Sequence, residues 1–317
     1  MNKRIAYFNK LFLTIIISTL LFSCSNKNVE VVSIPDENFE KALIKIGLDK
    51  VQDGKLKVTD EVKNCKSLDL TSSNISNLTG IEVFSNLENL YCELNKLKNL
   101  NLSNNIHLEK LWCGGNDLTT INLNGNRLLK VLDCSSNKLN SINLSNDTSL
   151  KFLYCNFNNL TELNLDSNKN LEILGVAFNE LSKLNLKINN RLKSVICFNN
   201  RLTNLEFGTA DNLQLINCRN NLQLTNLDIS NLKSLKDLDI SSTQIKELNI
   251  YQNHSLVKLQ ADSNFKDLYQ TQNLIALNRI TNAQKDNSGE YIGFYWAIVI
   301  LLIILIIILI RLISKIK

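Results

Sequence analysis

Six cysteines recur on one period and are the residues of this chain best placed to do chemistry. Cys92, Cys113, Cys134 and Cys155 stand 21 residues apart, and Cys197 and Cys218 continue the series after one gap. A column of thiols can form disulfides, hold a row of metal ions, or fill a core as small apolar groups. On neighbouring strands of a parallel sheet their Cα atoms would be ~4.8 Å apart, inside the separation a disulfide permits. Parallel neighbours aim their Cβ atoms the same way, so these stay near that spacing, wider than the ~3.8 Å a disulfide prefers. A metal ladder needs histidine or carboxylate partners at the same depth, and the period places none there. The equivalent position elsewhere holds Leu70, Val176, Ile240 and Ala261, which favours the column as buried, reduced filler. His107 and His254 lie far apart without a repeated acidic or cysteine partner, so neither has a catalytic pattern. Nucleophile elbow, phosphate loop, zinc motif and dinucleotide fingerprint are all missing from the sequence. No enzyme, cofactor or metal is expected.

The elements that carry the cysteines are set by a 21-residue unit, first written in full at residues 87–107. Its leading leucine falls at Leu87, Leu108, Leu129, Leu150, Leu171, Leu192 and Leu213, then, after a one-residue insertion near Gln223, at Leu235 and Leu256. Leu90, Leu111, Leu132, Leu153, Leu174, Val195, Ile216, Leu238 and Leu259 take the fourth position. They alternate with the apolar sixth position, as a half-buried strand requires. The ninth position is Asn95, Asn116, Asn137, Asn158, Asn179, Asn200, Asn221 and Asn264, with Thr243 the exception. A buried amide offers two donors and an acceptor to backbone groups that a turning chain leaves free, so this column is a structural ladder. A second apolar pair follows, as in Leu100 and Leu102 or Ile121 and Leu123; in so short a unit that segment should be extended rather than helical. The pattern L-x-x-L-x-L-x-x-N-x-L at such a period defines a leucine-rich repeat solenoid. The expected fold is an α/β-type solenoid, mostly β, coiled right-handed with a parallel sheet on its concave face.

Beside the core pair, the outward positions are unusually aromatic in the middle of the array. Tyr91, Trp112 and Tyr154 occupy the fifth position, Phe152 and Ile173 the third, Phe157 and Phe178 the eighth, and Phe198 the seventh. Exposed aromatic surface of this extent marks interaction sites; the competing account is that the rings pack on one another as cross-strand pairs. The formal charge of +5 suggests an anionic partner until the charges are located. Lys3, Arg4, Lys10, Arg311, Lys315 and Lys317 sit at the two ends, leaving 29 basic residues against all 30 acidic ones. The body is neutral, without the footprint of a nucleic-acid binder. A protein or glycan is the expected ligand.

Flanking segments place the array. Residues 1–23 give a basic start and an apolar run from Leu11 to Phe22, too short to span a bilayer and suited to a signal-peptide core. The run ends Leu21-Phe22-Ser23-Cys24, which resembles a bacterial lipobox and implies lipidation of Cys24. Within residues 24–64, the stretch 34–47 reads as an amphipathic helix. Phe39, Leu43 and Ile46 share a face, Pro35 and Asp36 suit its first turn, and Gly47 suits its end. It should cap the solenoid, whose open end would otherwise expose core and unpaired strand. About nine repeats fill residues 65–270, and a C-terminal cap and linker residues 271–291. Residues 292–310 carry no charge and number 19, enough for a transmembrane helix. Tyr291, Tyr295 and Trp296 suit its interfacial edge, and the basic tail 311–317 suits the cytoplasm. These features predict an inner-membrane anchor with the repeats facing the periplasm.

The I-P-D-E-N-F-E-K-A-L-I helix, the S-L-D-L and N-I-S-N-L-T-G-I-E transition and the L-x-x-L-x-C-x-x-N-x-L-x-x-L-N-L-S repeats resemble the internalin-like leucine-rich repeat proteins. They resemble in particular the cysteine-bearing 21-residue type of Bacteroidota surface proteins and lipoproteins. The resemblance covers residues 34–265 and implies an envelope or surface protein that binds something by its concave face. Two functions follow: a membrane-anchored module binding a protein or glycan, or a structural envelope scaffold or spacer with no ligand.

Overall fold

The structure is a computed structural model and describes residues 29–262. Cys24, Asn264, the C-terminal cap and the 292–310 segment lie outside the described residues. Among the described residues no helix is long and apolar enough to cross a membrane.

Alternating leucines produce one three-residue strand per unit, and ten of these form a single parallel sheet, from Ser67–Asp69 at one end to Lys258–Gln260 at the other. Strands pair in sequence order, and the register aligns Leu90, Leu111, Leu132, Leu153 and Leu174 in one line. That line and the leading leucines are buried. The rest of each unit carries the chain back to the start of the next strand, and in four units part of it is strand, as expected of an extended segment. Asn99–Asn101 pairs with Thr120–Asn122, and Lys183–Leu186 with Asn204–Phe207, both in parallel. Between strand and return segment the eighth residue takes the left-handed conformation, with φ of 54° at Ser136 and 55° at Asn220. This turn swings the ninth residue inward.

That ninth residue is the asparagine ladder. Asn137 donates from Nδ2 to the Cys113 and Cys134 carbonyls, both at 3.0 Å, and its Oδ1 accepts from the Leu118 amide at 2.9 Å. One side chain thus ties its own turn to the preceding coil, and Asn116, Asn158, Asn179, Asn200 and Asn221 repeat the pattern. Thr243 keeps only local bonds, donating to the Ile240 carbonyl at 2.7 Å and accepting from the Ile245 amide at 3.4 Å.

The amino-terminal cap helix spans Glu37–Lys45. Asp36 is its N-cap: Oδ1 accepts from the Asn38 and Phe39 amides at 3.0 Å. Its Oδ2 accepts from Ser76 N and Oγ and from Asn77 N, which clamps the cap to the first coil and holds the carboxyl pKa below its usual value despite burial. Phe39 and Leu43 face the core as expected, but Ile46 does not. The helix is shorter than the expected 34–47 at both ends: Asp36 caps it instead of joining its first turn, Ile46 is the C-cap and Gly47 follows at φ 84°. The buried place is taken by Glu40, whose carboxylate accepts from the amides of Asp53, Gly54 and Lys55.

Candidate interaction surface

The fifth-position residues line up across the outward face of the sheet as Asp69, Tyr91, Trp112, Asp133, Tyr154 and Gly175, each the register partner of the next. Phe152 and Ile173 lie in the third-position line beside them. Tyr91, Trp112, Phe152, Tyr154 and Ile173 are all half-buried, each side chain partly sunk among its neighbours with one aspect to solvent. Gly175 leaves a step in the surface over which Tyr154 leans: a Cβ there would stand 3.2 Å from Tyr154 Cδ1.

The phenylalanines form a separate feature. Phe157 and Phe178 lie past the strand ends, in the left-handed turn at φ 56° and 55°, and are 44% and 38% exposed. Their rings stack at 4.3 Å between centroids, and Phe178 meets Phe198 edge-on at 5.2 Å. A bulky residue in this conformation is strained; Ser136, Asn199, Asn220 and Ser242 hold the same turn elsewhere. The single aromatic patch expected from sequence is therefore two: a line on the sheet, and a row of three rings packed on one another at its edge.

Acidic groups accompany the sheet line. Asp133, between Trp112 and Tyr154, accepts from the Ser135 amide at 2.9 Å, and burial still pushes its carboxyl up. Glu93 is raised by burial and by the neighbouring charges of Asp133 and Asp69.

All six cysteines of the column are buried free thiols. Burial drives the Cys113 and Cys197 thiols well up and Cys218 to about 12, so none of these three offers a nucleophilic thiolate. Cys134 and Cys155 approach to 3.1 Å between sulfurs, and their hydrogen bond, with burial, raises Cys134. His107 and His254 are both exposed, and among the described residues no group of His, Cys, Asp and Glu is arranged to hold a metal.

A second ladder escaped sequence reasoning. Asn105, Asn126, Asn168, Asn189 and Asn253 are fully buried on the far side of the coil. Each donates to two carbonyls of the preceding coil, as Asn168 does to Leu144 O at 3.1 Å and Asp147 O at 2.9 Å. The 21-residue recurrence was there to be seen, but Phe84, Ala210 and Leu232 interrupt the column. Asp147 holds one rung of it, with both carboxylate oxygens buried and unpartnered and its pKa pushed up to about 7 by burial.

No protein-family model and no curated protein matches the chain. Solved structures do. The functional domain of InlJ from Listeria monocytogenes, described as including a cysteine ladder, is 24% identical with a TM-score of 0.53, over 76% of this chain and 63% of that one. Internalin C2 of the same organism is 18% identical with a TM-score of 0.57, over 72% of this chain and 94% of that one. A leucine-rich repeat protein of Leptospira interrogans is 23% identical with a TM-score of 0.52, over 67% and 55%. The chain thus spans less than two thirds of the InlJ domain and about half of the Leptospira protein. Its fold is the leucine-rich repeat solenoid. Among solenoids of that class it is similar to the internalins, with a cysteine ladder of its own.

Proposed function

We propose that the protein is a non-enzymatic, membrane-anchored module that binds a protein or glycan through the outward, concave face of its sheet. The observation that carries this is the line of half-buried aromatic side chains at Tyr91, Trp112 and Tyr154, with Phe152 and Ile173 beside it. Such rings supply large contact area at little cost in ordering. The charge-free run at 292–310 and the lipobox-like sequence before Cys24 support anchoring with the repeats outside the cytoplasm. Cross-linking capture with the piece 25–290 tests it. A partner retained by that piece and lost on Trp112→Ala is the expected result, and capture indifferent to Trp112 would remove the concave face. A spacer without ligand is the second function, and the Phe157, Phe178 and Phe198 contacts favour it for that part of the surface, because those rings already have one another.

A further inference from the structure

We propose that the amino-terminal half of the outward sheet face recognises a cation, the guanidinium or ammonium of an arginine- or lysine-bearing protein segment, seated over Asp133 between Trp112 and Tyr154. This rests on that face being a binding surface and narrows its partner to a basic protein.

Charge distribution is the first support. Elsewhere the solenoid pairs its acids with lysines one coil away, as in Glu109 with Lys130, Asp117 with Lys138, Glu172 with Lys193 and Asp237 with Lys258. Asp69, Glu93 and Asp133 enter no ion pair among the described residues, although all three lie on one face. Lys110 is the single base among the outward strand and turn positions of the first five strands. Lys45 of the cap offsets Asp69, while the charges of Glu93 and Asp133 repel one another, and an arriving cation relieves that repulsion, whereas a neutral sugar or an anion does not. The rings are the second support. The register places Asp133 between an indole and a phenol on adjacent strands, and aromatic faces beside a carboxylate attract a cation from both sides.

The test uses the full chain in an uncharged, non-glycosidic detergent and three probes: hexa-arginine, hexa-citrulline of equal length without charge, and maltohexaose. Calorimetry should show hexa-arginine binding that weakens with salt and is at least tenfold weaker in Asp133→Asn and in Trp112→Ala. It should be unchanged in Asp228→Asn, an exposed carboxylate on the return segment. Melting curves confirm that each variant is folded. Equal binding of hexa-citrulline, no binding of hexa-arginine, or equal sensitivity to Asp228→Asn overturns the proposal. Maltohexaose binding that Trp112→Ala abolishes and Asp133→Asn leaves intact would also overturn it, while keeping the same face as a glycan site.

Discussion

Asp147 shows how much one atom type matters inside a ladder. Its neighbours in the column, Asn126 and Asn168, present amide nitrogens to two carbonyls of the coil before; a carboxylate in that register turns acceptor toward acceptor. No charged group contributes to its shift, whose cause is burial alone, and Arg127 and Lys169, next to its column neighbours, are exposed. The sign follows. This carboxyl ionises near 3.8 in the unfolded chain and at about 7 in the folded one, so its contribution to stability is fullest below pH ~4, declines as the pH climbs to ~7 and then levels. Asp147→Asn should flatten that slope and add ~1 kcal/mol or more at pH 8 by restoring the donor. Melting both proteins at pH 5 and 8 checks it, and parallel pH profiles would refute it. In the first ladder, Asn137→Leu strands two carbonyls and an amide and should cost ~2 kcal/mol or more, against less than about 1.5 kcal/mol for Cys134→Val, a near-isosteric swap. Denaturant unfolding ranks the two. The first ladder was legible because amides recur at one position almost unbroken. The second was not, because a buried amide on the return segment looks in sequence like any turn asparagine.

At the scale of elements, the strands and their inward faces were fully readable from the leucine period, and so was the extended return segment. What sequence could not show is the conformation of the eighth residue. Leucine at 94 and phenylalanine at 157 and 178 contradict the left-handed turn they occupy, so residue type concealed the geometry and merged two aromatic features into one. In the cap helix, likewise, Glu40 reads as solvent-facing until the loop amides it serves are placed. The two aromatic features should answer differently to truncation. Trp112→Ala is expected to weaken partner capture about thirtyfold, equivalent to ~2 kcal/mol for a central anchor, with little change in melting temperature. Phe178→Ala loses two ring contacts, worth ~1 kcal/mol each, and keeps the strained turn, so it should melt early. Capture and melting measured side by side decide it; normal binding by Trp112→Ala would shift the balance toward the spacer.

On the scale of the whole molecule, the lipobox-like sequence and the charge-free segment predict that the protein fractionates with the inner membrane and that protease added to intact cells leaves the repeats whole. Recovery mainly in the outer membrane would contradict that placement. Within the array, the strand register runs from Asp69 to Gln260 without a break, and the ladder bonds reach back by the same interval in coil after coil. Among the described residues each coil is thus bonded to the one before and the one after, with no ladder bond that must wait for the distant end of the array. Such a molecule should begin to fold before its synthesis is complete and grow by accretion from the capped end. It should also tolerate loss or duplication of a whole 21-residue unit as a change of length rather than of shape, so that the reach of its sheet is open to inheritance in steps of ~4.8 Å.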